Sequence, residues 1–593
     1  MKMKKLINIV LSAAFPMTLA VGSLTSCEEL QFGNRFLSQQ PDQIGINIDT
    51  VFSKKYYADQ VLTKAYSTLH YGIEENILGG DMLEAITDLS YSTCTYSGSK
   101  LLYYNGAYSA GNEGRNTKYL FTESSTWTGI RYGWLMIENV DRVPDMTQYE
   151  KDLAKAEARM IIATHYADML RHFGGLPWID HAITVNEDFY YPRQTFEQTV
   201  NNIVGLIDAA IPYLQWDVED ADDGRMTQAY AMGLKLRVLL FAASPLFNSA
   251  EPYLDGEASF RLMTWYGDYS QARWQAAVDA GKDFMDALEK YGSYSLLQAT
   301  VQTEDGYRQA FRNAYFTRHN GEMLLSVRKA FRNTYSNYFC GGADNYASRQ
   351  CPTLAYANLF QVKDGEEWKD FPTDFNWENP TVDPFANRDP RFYETILTNG
   401  RPYKNRQSQL YVGGLDRLTE NEDGTGLLMY KFSQDYTEAT SIGAIDCWPA
   451  MRLAEVFLSY AEAINEANGG PDNVAYTCVN MVRNRVGLPD LPNGLSQTEF
   501  RAAVLRERAC EFGYEEVHWY DIIRWKNEEA FKVDIQGVNM YIDNTNPTGF
   551  TYKVFTVMPE RAWKTNWSPK WYLSAFPVNE VDKNYGLVQN PGW

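Results

Sequence analysis

Two turn-rich segments, residues 73–126 and 293–447, carry the side chains whose chemistry is easiest to interpret. Both mix aromatic rings with amide or guanidinium groups. Flat rings beside hydrogen-bonding groups can bind a molecule with an apolar face and a polar rim, as a sugar has. For any single ring, packing its loop onto the protein is the more ordinary role. We expect ligand contacts to come from ten candidates: Tyr96, Tyr103, Tyr104, Asn105, Tyr108, Tyr335, Tyr338, Arg349, Trp368 and Trp377.

Signatures of catalysis are absent from the sequence. It contains no HExxH, GxSxG, P-loop or GxGxxG motif. The six His are dispersed, and among 75 acidic residues no two carboxylates stand out as the pair that a glycosidase needs. The acidic run at residues 217–224 lacks the ligand spacing of an EF-hand, so calcium is the minority interpretation and a solvated loop the main one. We therefore expect no enzyme, no metal site and no cofactor.

The start of the chain indicates where the protein works. A basic beginning, MKMKK, precedes the apolar residues 6–20, which is a secretory signal pattern. The sequence Leu-Thr-Ser-Cys at residues 24–27 resembles the bacterial lipobox. We therefore expect residues 1–26 to be removed and Cys27 to be lipidated. The two Glu that follow resemble the acidic signal that sends lipoproteins of Bacteroidetes to the cell surface.

Charge, length and cysteine content indicate which class of partner is disfavoured and how the chain is organised. With 54 Lys and Arg against 75 Asp and Glu, the net charge of −21 argues against nucleic acid as a partner. A chain of 593 residues exceeds a single core. Six further cysteines show no zinc spacing. Cys340 and Cys351 flank one loop and could pair, whereas Cys478 and Cys510 fit buried positions in helices.

Helical periodicity recurs along the chain and provides a scaffold for the aromatic loops. Apolar residues repeat at helical spacing over residues 153–170, 196–214, 229–243, 274–288 and 453–464. Thr227 is a plausible N-cap, and residues 496–499 (Ser-Gln-Thr-Glu) form a capping box. Small residues on successive helix faces predict antiparallel hairpins of the tetratricopeptide type, although no clean 34-residue repeat is visible. The predicted fold is mainly α, a helical-hairpin scaffold with a long irregular insertion that holds short strands.

This pattern gives a provisional division of the chain. The parts are 1–26, signal peptide; 27–50, lipidated tether; 51–292, N-terminal helical part with the aromatic loop 73–126; 293–447, irregular ligand-binding insertion; and 448–593, C-terminal helical part and docked tail.

The C-terminal third resembles the SusD/RagB family of surface lipoproteins. The motifs that carry the resemblance are RLAEVFLSYAEA at 452–463, VNMVRNRVGLP at 479–489, the stretch from Glu507-Arg508 to Arg524-Trp525, and QNPGW at 589–593. Looser matches in the same order extend it over nearly the whole mature chain. Two residues depart from the usual pattern: Glu516 stands where Gly is usual and His518 where Arg is usual. We interpret the alternating charges of these motifs as inter-helix ion pairs.

The resemblance implies a function as well as a fold. A SusD-like protein would capture an oligosaccharide or polysaccharide at the outer-membrane surface, where its lipid anchors it. It would deliver the glycan to a SusC-type TonB-dependent transporter, over which it acts as a lid. A peptide-binding member of the same family is the first alternative, and a secreted glycoside hydrolase is a weaker one. The matched motifs include no ligand contacts, so the site rests on the aromatic loops alone.

Overall fold

Helices dominate the computed structural model, which describes residues 47–72, 77–112, 114–184, 186–328, 350–403, 405–417, 424–432 and 447–593. Its helices of twelve or more residues are α1 (Lys55–Tyr66), α2 (Ser124–Asn139), α3 (Gln148–Phe173), α4 (Phe196–Ala210), α5 (Gln228–Ala243), α6 (Gln271–Tyr291), α7 (Glu304–Phe316), α8 (Leu453–Asn468), α9 (Asn473–Arg485) and α10 (Gln497–Phe512). The five apolar stripes in the sequence correspond to α3, α4, α5, α6 and α8, so the mainly α prediction is confirmed.

The ends of these helices follow local sequence signals. The Thr227 side chain accepts a hydrogen bond from the Tyr230 backbone N–H and caps α5, as predicted. Ser496 and Glu499 form the expected capping box at the start of α10. At the other end of α8, Gly469 adopts φ +72°, a left-handed conformation that costs glycine little. Local hydrogen bonding therefore fixes where these helices begin and end.

Successive helices pack against one another in pairs. Helix α1 packs against α2, α2 against α3, α3 against α4, α5 against α6, and α8 against α9. Helix α6 also packs against α8. Small residues permit the close approaches: a Cβ on Gly281 in α6 would overlap the Tyr460 ring of α8. This arrangement confirms the scaffold of helical hairpins.

Short strands are confined to two-stranded antiparallel sheets. They are β1 (Ser90–Ser92) with β3 (Gln350–Pro352), β2 (Met323–Arg328) with β10 (Cys447–Arg452), β4 (Val362–Asp364) with β5 (Glu367–Lys369), β6 (Ile396–Leu397) with β9 (Leu428–Met429), β7 (Pro402–Tyr403) with β8 (Arg406–Gln407), and β11 (Gln536–Ile542) with β12 (Phe550–Thr556). The region 293–447, expected to be irregular, also contains the thirteen-residue helix α7. The finer domain boundaries remain predictions.

Ten buried charges link the C-terminal helices to the preceding part of the chain. Ion pairs connect Arg391, Lys431, Arg452, Arg483 and Arg485 with Glu322, Asp389, Glu507, Glu511 and Glu515. We call this set the ion cluster. Burial raises the pKa of Glu511, but the guanidinium groups of Arg485, Arg452 and Arg391 hold that pKa well below its usual range. The family-like motif charges therefore form structural ion pairs, as predicted.

Three further motif charges are paired inside the scaffold. Glu455 binds Arg237, Glu462 binds Arg524, and Arg508 binds Asp521. The tail is docked as expected: Asn590 is buried and accepts a hydrogen bond from Arg193 Nη2 at 2.8 Å. Cys478 and Cys510 are buried, and burial raises the pKa of each thiol to about 12.

The predicted signal peptide and Cys27 lie outside the described residues, as do the first residues of the tether. Among the helices that the structure does describe, none is long and apolar enough to cross a membrane.

Candidate functional site

The small sheet β1–β3 brings the two predicted loop regions together. Tyr91 of β1 pairs with Cys351 of β3, so residues 90–92 of the first loop lie directly beside residues 350–352 of the second. Gly424 also approaches this sheet, because a Cβ at that position would collide with the Cys351 sulfur. Segments far apart in sequence therefore converge on one edge.

Residues 91–105, which include the end of β1 and the chain that follows it, carry rings and polar groups that solvent can reach. Tyr96 is 54% exposed and Leu101 is 44% exposed. Tyr91 and Lys100 are half-buried, and Asn105 is exposed. We call these five residues the β1 edge.

The Tyr91 ring of the β1 edge packs against a buried tyrosine. It stacks on Tyr104 with 5.4 Å between ring centroids and 10° between ring planes. The Lys100 Nζ lies 5.2 Å from the Tyr91 ring centroid and donates to the Thr93 carbonyl at 3.2 Å. Burial raises the pKa of Tyr91 to about 12 and lowers the pKa of Lys100. The Tyr91 ring is therefore fixed by stacking and has the Lys100 ammonium group close to it. An aromatic ring beside a hydrogen-bond donor suits a polyhydroxylated ligand.

Three of the predicted contact residues are buried. Tyr103, Tyr104 and Tyr108 are 0%, 2% and 5% exposed and offer no surface to a ligand, which corrects the expectation for them. The Tyr104 hydroxyl donates to the Ala85 carbonyl at 2.5 Å and accepts from the Ser92 N–H at 2.9 Å. Tyr103 stacks on Tyr108 at 5.1 Å. These rings attach the loop to the scaffold, because their partners include Trp571 and Trp593 near the chain end.

Asn105 is exposed, yet both ends of its amide are engaged within its own turn. Its Nδ2 donates to the Leu101 carbonyl at 3.1 Å, and its Oδ1 accepts from the Ala107 N–H at 3.0 Å. The side chain therefore shapes the turn that ends the π-helix Ser99–Tyr104.

The tryptophans of the second region lie in a different cluster. Trp368 is half-buried on β5, opposite Lys363. Trp377 is half-buried among Phe371, Phe375, Phe385 and Tyr552, with centroid distances of 4.9–6.1 Å. Both keep part of their rings accessible and remain candidates.

The three other predicted contacts, Tyr335, Tyr338 and Arg349, lie outside the described residues. The cysteine Cys340 also lies outside them. Cys351, the cysteine that flanks the same loop as Cys340 in the sequence, is buried on β3.

Paired charges line a cavity within the helical scaffold. A cavity of about 80 Å³ inside the scaffold is lined by paired groups such as Arg237 with Glu455 and Arg171 with Asp168. That volume corresponds to a few water molecules. Within the described ranges, no group of three or more His, Cys, Asp or Glu side chains is gathered around a metal-sized space.

Known proteins share both the motifs and the helical architecture. Residues 310–593 match the sequence model described as the SusD family. The matched part contains helices α8–α10, the second half of α7 and all ten charges of the ion cluster, including Glu511, Arg452 and Arg485.

This part of the chain, residues 310–593, belongs to the SusD family.

Sequence relatives align over short stretches. SusD-like protein P2 of Formosa agariphila is 40% identical over 152 residues, which cover 24% of this chain and 25% of that protein. SusD-like protein P25 of the same organism is 43% identical over 77 residues, which cover 12% and 14%. The alignments thus span a quarter or less of the curated relatives.

Solved structures match over nearly the full length. A SusD-like protein from Bacteroides fragilis NCTC 9343 superposes with a TM-score of 0.71 at 21% identity and covers 92% of this chain and 98% of that one. A SusD-like carbohydrate binding protein from the same strain gives a TM-score of 0.66 at 19% identity, with 90% and 99% covered. At these identities the likeness establishes the SusD-like fold.

Sequence reasoning missed Lys100 as a member of the candidate site, and it counted Tyr91 among the tyrosines of the aromatic loop but not among the ten candidates. Tyr91 lies in the predicted aromatic loop, but the sequence could not show that it stays accessible while Tyr104 beneath it is buried. Alternation along β1, with Tyr91 flanked by buried Ser90 and Ser92, is the signal that could have found it.

Proposed function

We propose that this SusD-family protein binds a glycan through the β1 edge and performs no catalysis. The observation that carries the proposal is the half-buried Tyr91 ring, which stacks on Tyr104 and has the Lys100 Nζ 5.2 Å from its centroid, with the exposed Tyr96 five positions later in the same loop. A sugar ring would stack its C–H face on the aromatic platform. Its hydroxyls would exchange hydrogen bonds with the neighbouring polar groups.

Preorganisation favours this mode of binding. The Tyr104 hydroxyl bridges two backbone groups, and Tyr91 stacks on its ring, so the platform loses little side-chain freedom when a ligand arrives. Trp368 and Trp377 would add contacts for a longer glycan, since their rings are only half-buried.

The cellular role proposed here follows from family membership and from the N-terminal sequence. Lipidation at Cys27 would anchor the protein at the outer-membrane surface. Captured glycan would then pass to a SusC-type TonB-dependent transporter. Capture as proposed uses no cofactor, and calcium as an aid to binding is the minority alternative.

The test compares site variants with a matched surface variant. Tyr91→Ala combined with Tyr96→Ala should weaken glycan binding about tenfold or more, which corresponds to roughly 1.4 kcal/mol. Tyr149→Ala, a 56%-exposed tyrosine of α3, is the control and should leave affinity unchanged. Isothermal titration of each protein, spanning residues 28–593, measures the effect. Equal affinity in the double variant and the control would contradict the placement of the site.

A further inference from the structure

A second cavity, of about 120 Å³, lies where the end of α1 and the start of α2 meet the end of α3 and the short helix His518–Arg524. Its volume corresponds to several water molecules. Among its lining residues Ser67 and His70 are exposed, whereas Lys118 and His172 are each 2% exposed, so the lining extends from the surface to buried groups. None of the five residues of the β1 edge lines this cavity.

The Lys118 amine lines the cavity without a counter-charge. Its Nζ donates one long hydrogen bond, to the Trp571 carbonyl at 3.4 Å, and lies 4.5 Å from the Trp519 ring centroid. Among the described residues, no carboxylate oxygen lies within ion-pair distance of this Nζ. A lysine ammonium has three N–H donors, so at least two of them have no protein acceptor here. A buried charge in this situation is costly unless a ligand compensates it.

His172 contributes a second donor to the same cavity. Its Nε2 lies 2.8 Å from the Tyr520 hydroxyl, and the hydroxyl has no other hydrogen-bond partner among the described residues. We therefore assign the phenolic hydrogen to this bond and the imidazole proton to Nδ1. The Nδ1 atom is buried and has no partner in the described part of the chain. Two buried donors, one of them charged, thus line one cavity.

The carboxylates that line the cavity are engaged with other groups. Asp168 pairs with Arg171, and Glu516 Oε2 lies 2.8 Å from His70 Nε2. Glu123 caps α2 by accepting hydrogen bonds at its N-terminus. The other Glu516 oxygen has no hydrogen bond among the described residues, but it makes no ion pair with the lysine amine. The remaining titratable groups of the lining are Tyr119, His165, His172 and Tyr520.

We propose that this cavity binds a small carboxylate, with the Lys118 ammonium as its counter-charge and the His172 Nδ1–H as a second donor. A carboxylate brings one negative charge and two acceptor oxygens, which match one uncompensated positive charge and two free donors. Water would accept the hydrogen bonds but leave the buried charge uncompensated. The volume fits a molecule of the size of acetate, or the carboxylate end of a sugar acid.

Binding is tested with ¹³C-labelled acetate, whose carboxylate NMR signal broadens when it exchanges with a protein of this size. In a buffer without carboxylates and at constant ionic strength, the protein spanning residues 28–593 should broaden the signal saturably. Acetamide has nearly the same shape but no charge, and it should not compete. Lys118→Met should weaken acetate binding about tenfold or more, whereas Lys64→Met, at an exposed lysine of α1, should leave it unchanged.

The folding of Lys118→Met is checked separately by thermal unfolding. Removing a buried charge that has no partner should leave the unfolding midpoint equal to that of the wild type or higher. Acetate should raise the midpoint of the wild type and of Lys64→Met, because it binds the folded state, but not that of Lys118→Met. An equal rise in all three proteins would overturn the proposal.

The pH dependence identifies the group that holds the anion. Burial lowers the pKa of Lys118 to about 7, so its protonated fraction falls from about 0.9 at pH 6 to about 0.1 at pH 8. Acetate should therefore bind about tenfold more weakly at pH 8. His165 and His172 stay neutral in this range, because burial lowers the pKa of both. His70→Gln should keep the same pH dependence, and loss of that dependence in this variant would contradict the role of the lysine.

Two ligands distinguish the source of the carboxylate. Saturable binding of glucuronate, but not of glucose, would show that the acid group of a sugar enters the cavity, whereas binding of acetate alone would restrict the site to small free acids. The proposal is overturned if neither anion binds, if Lys118→Met binds them as the wild type does, or if acetamide competes. The cavity would then hold water alone. These experiments do not involve the β1 edge, so they stand or fail independently of the proposed glycan site.

Discussion

Removing the charge of Glu511 tests whether the acidic motif residues stabilise the fold or perform chemistry. Glu511 is fully buried and lies 2.8 Å from Arg452 Nη1 and 3.2 Å from Arg391 Nη1, and it also pairs with Arg485. Among the described residues, the ion cluster contains five cations and five carboxylates. Glu511→Gln preserves the side-chain shape but leaves one buried positive charge unbalanced.

The expected cost is large because the cluster excludes water. Breaking a buried ion pair by removing one partner costs about 3–5 kcal/mol. Glu528→Gln provides the control: its pair with Lys532 is solvent-exposed, and such pairs are worth about 0–1 kcal/mol. Urea unfolding followed by tryptophan fluorescence and by circular dichroism gives the change in free energy of unfolding for the cooperative unit that contains α10.

The pH dependence sharpens this test. Arg485, Arg452 and Arg391 depress the pKa of Glu511, so its contribution to stability is present above the unfolded value of about 4.5 and is lost as pH falls toward the folded value. The difference between wild type and Glu511→Gln should therefore narrow on acidification below that pH. A loss below 1 kcal/mol at pH 7, or a difference that does not depend on pH, would refute the view that the ion cluster is structural.

Two further predictions concern packing and the loop anchor. Gly281→Ala should destabilise the protein by about 1–3 kcal/mol, because the new methyl group overlaps Tyr460. Gly205→Ala, on an open face of α4, should instead stabilise it by about 0.5–1 kcal/mol. Thermal unfolding compares the two variants, and similar shifts of the midpoint would contradict the packing of α6 on α8. Tyr104→Phe should lower the free energy of unfolding by about 1–3 kcal/mol, because it leaves the Ser92 N–H without its acceptor. Tyr96→Phe, on the exposed ring, should have little effect on that free energy. Urea unfolding distinguishes the two variants, and unchanged stability of Tyr104→Phe would show that this hydroxyl does not anchor the loop.

The scaffold could be predicted from sequence because its signals are local. The apolar stripe of α3, the N-cap at Thr227 and the capping box at Ser496 each lie within one helix turn or one helix face. Helix α7 was missed because its region is rich in turns and its short apolar stripe, such as Phe311 and Tyr315, was not recognised.

The candidate site depends on contacts that the sequence does not reveal. Tyr103 and Tyr108 are covered by Trp571 and Trp593, which lie more than 450 positions later in the chain. No local pattern distinguishes these buried rings from the accessible Tyr96. The sequence indicated an aromatic loop, but only the three-dimensional packing separates the rings that anchor this loop from the rings that face solvent.

Glycan capture without turnover is the central claim, and calorimetric titration tests it most directly. The protein spanning residues 28–593 would be titrated with a panel of polysaccharides and peptides, and each ligand would be examined afterwards for cleavage. We expect saturable binding to one class of glycan, recovered intact, and no binding to peptides. Binding to peptides alone, or recovery of cleaved glycan, would contradict the claim.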